Sequence, residues 1–344
     1  MSRYKIAWLP GDGVGVDVMD ATRIVLDRLK LDAEYIHGDI GWEFWCAEGD
    51  ALPARTIELL KHVDAALFGA ITSKPVKAAE AELAPSLKGT GLVYRSPIVR
   101  MRQLFDLYIC LRPLKAYPGN ALNFSDQIDL VMFRENTEDL YAGVEFNPVP
   151  AQLADALEAL SPAFKPFAGL APDQYAVSCK INTKKGSERI VDAAFAYARR
   201  HGRKKVTVVH KANVVDAITM WLLKNPLNYD VLVAPNLYGD IVSDLCAQMV
   251  GGLGFACSGN IGTKLAVFEP THGSAPKYAG KYKVNPIATI LTAKMMLEWL
   301  GEQDLAVRLE RATAAVIKQG QVRTYDMGGS NTSLEMAEAI AREL

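Results

Sequence analysis

Along this chain short apolar runs alternate with longer stretches in which apolar residues return every third or fourth position, the pattern of buried strands followed by amphipathic helices. Residues 5–9 read as a strand, and PGDGVGVDV leads from it into a helix carrying Val18, Ile24, Val25 and Leu29 on one side. Residues 33–37 and 65–68 predict further strands, with a helix from Pro53 between them. Such alternation predicts an α/β domain with a mostly parallel sheet. DLYICLRP and IDLVMFREN are apolar without interruption, as strands covered on both faces are, and each is expected to deliver an arginine, Arg112 or Arg134, at its C-terminal end. Segment 147–173 is rich in Ala and Pro, with a helical pattern near 153–160; it is too short to bury a core of its own and reads as a surface excursion or interface arm. Beyond it, strands are expected over 174–179 and 205–210, the second running into HKAN, with a helix over 187–200 between them. VLVA at 231–234 reads as a buried strand, and the turn at Gly239 opens a helix with the pattern Ile241, Leu245, Met249. Helices over 286–300 and 304–319, the loop RTYDMGG and a helix from Ser333 close the chain.

Composition narrows the class. With 344 residues, half of them hydrophobic, the chain can bury a large core as two domains or one lobed unit. Lys plus Arg number 38 against 39 for Asp plus Glu, so no overall basic field argues for nucleic acid or an anionic membrane. Any anionic ligand must then be held by local cations. The five cysteines, Cys46, Cys110, Cys179, Cys246 and Cys257, are scattered and lack a C-x-x-C pair, which fits reduced core thiols better than a disulfide frame or zinc site. No apolar stretch resembles a signal peptide or reaches membrane-spanning length, and the expectation is a soluble, cytoplasmic protein.

Four features carry candidate chemistry. Asp240 and Asp244 stand four apart on the predicted helix, so their carboxylates share a face; a divalent metal would relieve their repulsion, while a solvated helix face is the plainer reading. Arg112 and Arg134, with Arg102 in RSPIVRMRQ nearby, form either three surface residues or a clamp for a polycarboxylate, whose geometry the planar guanidinium matches. Lys211 follows the strand before HKAN; facing a metal and arginines, its amine would shift toward proton transfer, and otherwise it is solvated. The N-terminal Gly11-x-Gly13 is followed by Val16 where a dinucleotide fingerprint needs its third glycine, so a tight turn explains it equally well. Lys277 and Tyr278 supply a cation and a phenol in a Gly- and Pro-rich loop, consistent with holding a phosphate.

Taken together, RQLFDLYICLRP, MFRENTEDLYAGVE, HKAN, DAITMWLLKNP, NLYGDIVSD, GGLG followed by SGNIG, and EPTHGSAPKYAGKYKVNP resemble the isocitrate and isopropylmalate dehydrogenases, metal-dependent β-decarboxylating oxidoreductases. The resemblance covers almost the whole chain. It implies a large mixed-sheet α/β cofactor domain from residues 1–100 and 250–344 and a smaller α/β substrate and dimerisation domain from 101–249, with 147–173 as an arm. Carried over by position, Arg102, Arg112 and Arg134 grip the substrate carboxylates, Tyr141 protonates the enolate, Lys211 assists proton transfer at the C2 hydroxyl, and Asp216, Asp240 and Asp244 bind Mg²⁺ or Mn²⁺. Lys211 and Asp216 would come from the partner of a homodimer with shared active sites. His272, Gly273, Lys277, Tyr278, Asn285 and Tyr325 fall at cofactor positions.

The resemblance also bears on selectivity. Ser96 resembles the serine that hydrogen-bonds the distal carboxylate in isocitrate enzymes, whereas Ile98 replaces the asparagine usual there and Arg100 is an extra cation that suits a longer or differently placed acid. Lys277, Tyr278 and Tyr325 match the set that contacts the 2′-phosphate of NADP, although Gly329 stands where many such enzymes have arginine, which leaves NAD possible. The implied reaction is oxidation of isocitrate to 2-oxoglutarate with reduction of NADP, as in the tricarboxylic acid cycle. Homoisocitrate, 3-isopropylmalate and tartrate are the alternative substrates, and a non-catalytic or regulatory subunit is the alternative role. The family helix and strand between the counterparts of Lys211 and Asp216 are missing here, where only residues 212–215 intervene, so material near the expected dimer interface is lost. By this reading Asp240→Asn abolishes metal-dependent activity and leaves the fold intact.

Overall fold

A computed structural model of the chain describes residues 2–212 and 214–344, so that Asn213 of the HKAN motif lies outside the described residues. The first part alternates strands and helices as the pattern predicts: β1 (Tyr4–Gly11), α1 (Val14–Leu29), β2 (Ala33–His37), α2 (Trp42–Glu48), α3 (Ala54–Leu60), β3 (Ala65–Ala70), α4 (Val76–Ala81) and α5 (Pro97–Leu104). The middle contributes β4 (Ile109–Lys115), β5 (Asp129–Glu135), β6 (Glu145–Phe146), α6 (Ala151–Leu160), β7 (Val177–Ser178), α7 (Lys184–Arg200), β8 (Val206–Val208), α8 (Ile218–Lys224), β9 (Val231–Ala234) and α9 (Asn236–Met249). The hairpin β10 (Cys257–Ile261) and β11 (Ala266–Pro270) precedes α10 (Ile287–Trp299), α11 (Gln303–Gln319) and α12 (Ser333–Glu343). No helix among the described residues is long and apolar enough to cross a membrane.

Nine strands form one sheet in the order β2-β1-β3-β11-β10-β4-β5-β9-β8, and β6 and β7 make a separate ribbon at the root of the 147–173 arm. Pairing is parallel on both flanks. At the centre β10 runs antiparallel to both β11 and β4, and β4 antiparallel to β5. One half of the sheet thus uses strands from the two chain ends, the other strands from the middle, and β10 joins them. The antiparallel centre leaves no trace in the apolar pattern, because a strand covered on both faces reads the same in either direction.

Side-chain alternation assigns the faces of the middle strands. Leu114, Leu130, Met132, Leu232 and Ala234 pack against Val242 and Cys246 of α9. Ile109, Val131, Phe133, Val231 and Val233 pack on the other side against Ile190, Ala194 and Ala198 of α7. The main core lies on the remaining half, where α1, α10, α11 and α12 cover β1, β3, β10 and β11. The glycine turn after β1 is a packing device: a Cβ at Gly15 would meet the carbonyl oxygen of Pro10 at 2.3 Å and the amide of Ala70 at 2.6 Å.

Several elements differ from the sequence expectation. Arg112 does not end its strand, since β4 continues through Pro113 to Lys115 after its pairing with β10 stops at Leu111. The strand expected over 174–179 shrinks to Val177–Ser178, and that over 205–210 to Val206–Val208, so Lys211 lies beyond the strand rather than at its end. On α9 the buried stripe is Gly239, Val242, Ser243, Cys246 and Ala247, with Ile241 exposed. At the start of the helix small residues face inward because it lies directly on Arg134, whereas Met249 at its end is buried as the pattern predicts.

Candidate active site

Arg134, next to last in β5, points to the same face as Met132 and lies under the start of α9. The approach is close: a Cβ at Gly239 would stand 2.7 Å from the Cβ of Arg134. The guanidinium, 2 % exposed, donates from Nε to Asn236 Oδ1 at 2.9 Å and from Nη1 to Oδ1 of Asp240. Arg112, two rungs along on β4 and also buried, donates from Nη1 to Ser243 Oγ at 2.6 Å and to Asp244 Oδ1 at 3.1 Å, and its Nη2 lies 3.4 Å from Asp240 Oδ1. Its Nε is buried without a partner. The antiparallel register thus brings both arginines to one end of α9, although only Arg134 stands near a strand terminus.

Tyr141 reaches the same carboxylate from the turn after β5. Its hydroxyl donates to Asp240 Oδ2 at 2.6 Å, and Arg134 sits 5.1 Å from the centre of its ring. The turn is tied to the start of α9: Leu237 N donates to Asp139 Oδ2 at 2.9 Å and Asn236 Nδ2 to the Glu138 carbonyl at 3.1 Å. Burial works against the Asp240 carboxylate, but Arg134, the Tyr141 bond and Arg112 outweigh it and hold its pKa below the ordinary value. Asp244, with less compensation, is pushed upward by burial and by the charge of Asp240. Burial and the bond to Asp240 together raise the Tyr141 phenol, so it keeps its proton.

Arg102, from α5, completes the cationic set. It is buried, donates from Nε to Asn260 Oδ1 at 2.9 Å and from Nη2 to Glu269 Oε1 at 3.1 Å, and lies within electrostatic reach of Asp240. Ser96 precedes α5 as a partly buried residue whose side chain caps nothing. Ile98 is buried among Leu52, Met101 and Leu107, and Arg100 is paired with Asp50. Arg100 is therefore not the free cation that a longer acid would need.

Lys211 and Asp216 come between β8 and α8. Both are exposed, on a connection curled by bonds from the amides of Val214 and Val215 to the His210 carbonyl at 3.3 and 3.1 Å. Asp216 does not join Asp240 and Asp244 in a metal-binding group, and among the described residues no three carboxylate, imidazole or thiol groups assemble as a metal site. The two helical carboxylates are still hard oxygen donors of the kind Mg²⁺ or Mn²⁺ takes, and the raised Asp244 is a group that a dication would relieve.

Beyond β11 a second cavity of about 530 Å³ is lined by Gly251, Gly254, His272, Gly273, Asn285 and Tyr325 among others. His272 Nε2 is buried there without a partner, and burial lowers the imidazole pKa, so the ring is neutral. Asn285 donates to Asp326 Oδ2 at 3.0 Å. Tyr278 and Tyr325 stand side by side, ring centres 5.7 Å apart, with Lys277 over the former at 4.8 Å. Lys283 lies 5.5 and 5.1 Å from the two rings. An orphaned buried nitrogen in the cavity, and a cluster of two phenols and two ammonium groups that reaches it through the lining residue Tyr325, fit a nucleotide bearing phosphate. Sequence reasoning overlooked Lys283, Asn236, Ser243, Asn260 and Glu269; all five lie inside quoted motifs, yet a motif does not say which polar members turn inward.

The isocitrate/isopropylmalate dehydrogenase family model matches residues 5–217 and 214–341. The 3-isopropylmalate dehydrogenase of Methanothermobacter thermautotrophicus is 39% identical over 100% of this chain and 99% of its own length. Protein DlpA of Legionella pneumophila is 37% identical over 98% of this chain, which spans 58% of that protein. The crystal structure of isocitrate dehydrogenase from Methylococcus capsulatus superposes with a TM-score of 0.84 at 34% identity, covering 99% of each chain.

Proposed function

The chain belongs to the isocitrate/isopropylmalate dehydrogenase family, decarboxylating dehydrogenases acting on small molecules, and on that premise we propose that it oxidises and decarboxylates isocitrate with NADP and Mg²⁺ or Mn²⁺. The observation that carries this reading is the convergence of Arg102, Arg112 and Arg134 beside Asp240 and Tyr141. Three guanidiniums match the three carboxylates of isocitrate, and the pairing of Arg100 with Asp50 removes the feature that pointed to a longer acid. Ser96, at the start of α5, is assigned to the distal carboxylate.

The residues then divide the work. The arginines fix the acid, so that the reacting carbon is presented in one orientation. Lys211 from a partner copy takes part in moving the C2 hydroxyl proton, and Tyr141, which holds its proton, donates it to carbon after carbon dioxide leaves. Asp240 and Asp244, with Asp216 of the partner copy, would hold a dication that would supply stabilisation of negative charge on the substrate oxygen, and a bound nicotinamide would supply the hydride acceptor. His272, Gly273 and Asn285 line the nucleotide cavity, with Lys277, Tyr278, Lys283 and Tyr325 at its phosphate end. Five free cysteines support a reducing, cytoplasmic setting, and the division into end-derived and middle-derived halves supports a cofactor part and a substrate and dimerisation part.

The deciding experiment is a turnover assay with Mg²⁺ or Mn²⁺ in which isocitrate, homoisocitrate, 3-isopropylmalate and tartrate are each paired with NAD and NADP. The expected best pair is isocitrate with NADP. Preference for 3-isopropylmalate would remove the assignment of Ser96, and no reduced cofactor from any pair would remove the catalytic role.

A further inference from the structure

Asn260 is fully buried on β10, the strand that joins the two halves of the sheet, where its register partners are Cys110 of β4 and Val267 of β11. Its amide is saturated. Oδ1 accepts from Arg102 Nε at 2.9 Å and from Asn136 Nδ2 at 2.8 Å, while Nδ2 donates to Glu269 Oε1 at 2.8 Å and to the Val267 carbonyl at 3.2 Å. Those partners lie on α5, on the loop after β5, and on β11. One side chain therefore ties the first helix of the arginine set to the strand that carries Arg134.

The direction of these bonds matters for Arg102. Asn260 takes Nε and Glu269 takes Nη2, which occupies one edge of the guanidinium. Nη1 makes no hydrogen bond among the described residues and is not among the buried unpartnered atoms, so it keeps some exposure and is free to bond a ligand. A guanidinium presents a fork in a fixed plane, and fixing one edge fixes the plane of the other. Asn136 adds a second constraint, since it also donates to the Leu107 carbonyl at 3.0 Å.

We propose that Asn260 is a positioning residue: it sets the plane of the Arg102 guanidinium for the substrate carboxylate and holds that plane in register with β5. The inference rests on the reading of the arginines as an acid clamp. It predicts that Asn260→Ala weakens binding of isocitrate by about tenfold or more, with the cofactor KM unchanged, because a misplaced positioning group costs on this scale. In an Arg102→Ala background the same change adds nothing further. A merely structural role would give losses that combine independently and would reach the cofactor as well.

The test is calorimetric binding of isocitrate with Mn²⁺ present, alongside KM and kcat for acid and cofactor, on wild type, Asn260→Ala, Arg102→Ala and the double variant. Should Asn260→Ala fail to fold, Asn260→Ser serves in its place: its hydroxyl still reaches toward Val267 but falls short of Arg102. If the wild type binds no acid, the clamp reading itself fails. Acid binding by the wild type with an unchanged affinity in the Asn260 variant, or equal losses in both Arg102 backgrounds, overturns the proposal alone.

Discussion

Tyr141 and Asp240 are bound to each other: the phenol donates to Oδ2 at 2.6 Å, while Oδ1 of the same carboxylate takes Nη1 of Arg134. The proposed proton donor and the proposed cation ligand are thus parts of one hydrogen-bonded unit standing on a buried guanidinium. Charge at Asp240 is consequently felt at Tyr141.

Tyr141→Phe is expected to lower kcat about a hundredfold, the usual scale for losing a general acid. Stability changes little, because the ring is partly exposed and keeps its place over Arg134. With its pKa raised by burial and by Asp240, the phenol stays protonated through neutral and moderately alkaline pH, so its ionisation does not limit kcat below about pH 10. Steady-state profiles of both proteins check this, and an alkaline limb near neutrality that vanishes in Tyr141→Phe would contradict it.

Asp240→Asn reaches further than the loss of metal-dependent activity that the sequence suggests. Arg134, 2 % exposed, and Arg112 both lose their shared counter-charge, and the expected cost is about 1–3 kcal/mol of folding stability. Because the folded carboxylate titrates below its unfolded value, its contribution is full above about pH 4 and is lost as the pH falls through the folded value. Urea unfolding should show a gap between wild type and variant at pH 6 that closes on acidification. A gap independent of pH would show that packing, not charge, is responsible.

Asp244→Asn behaves differently, since its side chain is 61 % exposed and its pKa is raised by burial and by Asp240. A carboxylate raised in the folded state opposes folding above its unfolded pKa, so at pH 7 the variant matches or slightly exceeds wild type, within about 0.5 kcal/mol. Mn²⁺ raises the melting temperature of wild type but not of the variant, by the ordinary coupling of ligand binding to stability. Equal thermal shifts in the two proteins would place the ion elsewhere.

How much of this was legible beforehand depends on what each residue answers to. Continuous apolar strands and the arginines within them were readable, because burial on both faces leaves a run that a charge interrupts only for a reason. The antiparallel centre was not, since strand direction leaves no mark on such runs. The inward stripe of α9 is legible only in part: Met249 is buried and Leu245 packs on the core as the pattern predicts, but Ile241 is apolar and exposed, whereas Gly239 and Ser243 face inward because Arg134 and Arg112 leave room only for small or hydrogen-bonding groups. Arg100 looked like a free cation because its partner, Asp50, is fifty residues away in the chain.

Lys283→Ala tests the phosphate end of the nucleotide cavity. Its ammonium stands over both Tyr278 and Tyr325, and losing one charge-assisted contact to a phosphate should lower kcat/KM for NADP about tenfold. The value for NAD should hold, because NAD lacks the 2′-phosphate. A parallel fall for both cofactors would assign Lys283 to the shared part of the nucleotide.

Lys211 and Asp216 are exposed, and Asp216 forms no metal-binding group with Asp240 and Asp244 within one copy, which makes the proposed shared site a matter for complementation. In the proposed homodimer, Tyr141→Phe and Lys211→Met are each expected to disable every site. If Tyr141 of one copy works with Lys211 of the other, unfolding and refolding the two variants together yields mixed dimers with one intact and one doubly altered site. Equal mixing makes half the dimers mixed, so activity should return to about a quarter of wild type, as two-fold symmetry dictates. Recovery must also require the joint refolding step, since simple mixing of stable dimers leaves the sites unaltered. No recovery after joint refolding, with mixed dimers demonstrated by mass spectrometry, would assign both residues to one copy and with them overturn the shared site.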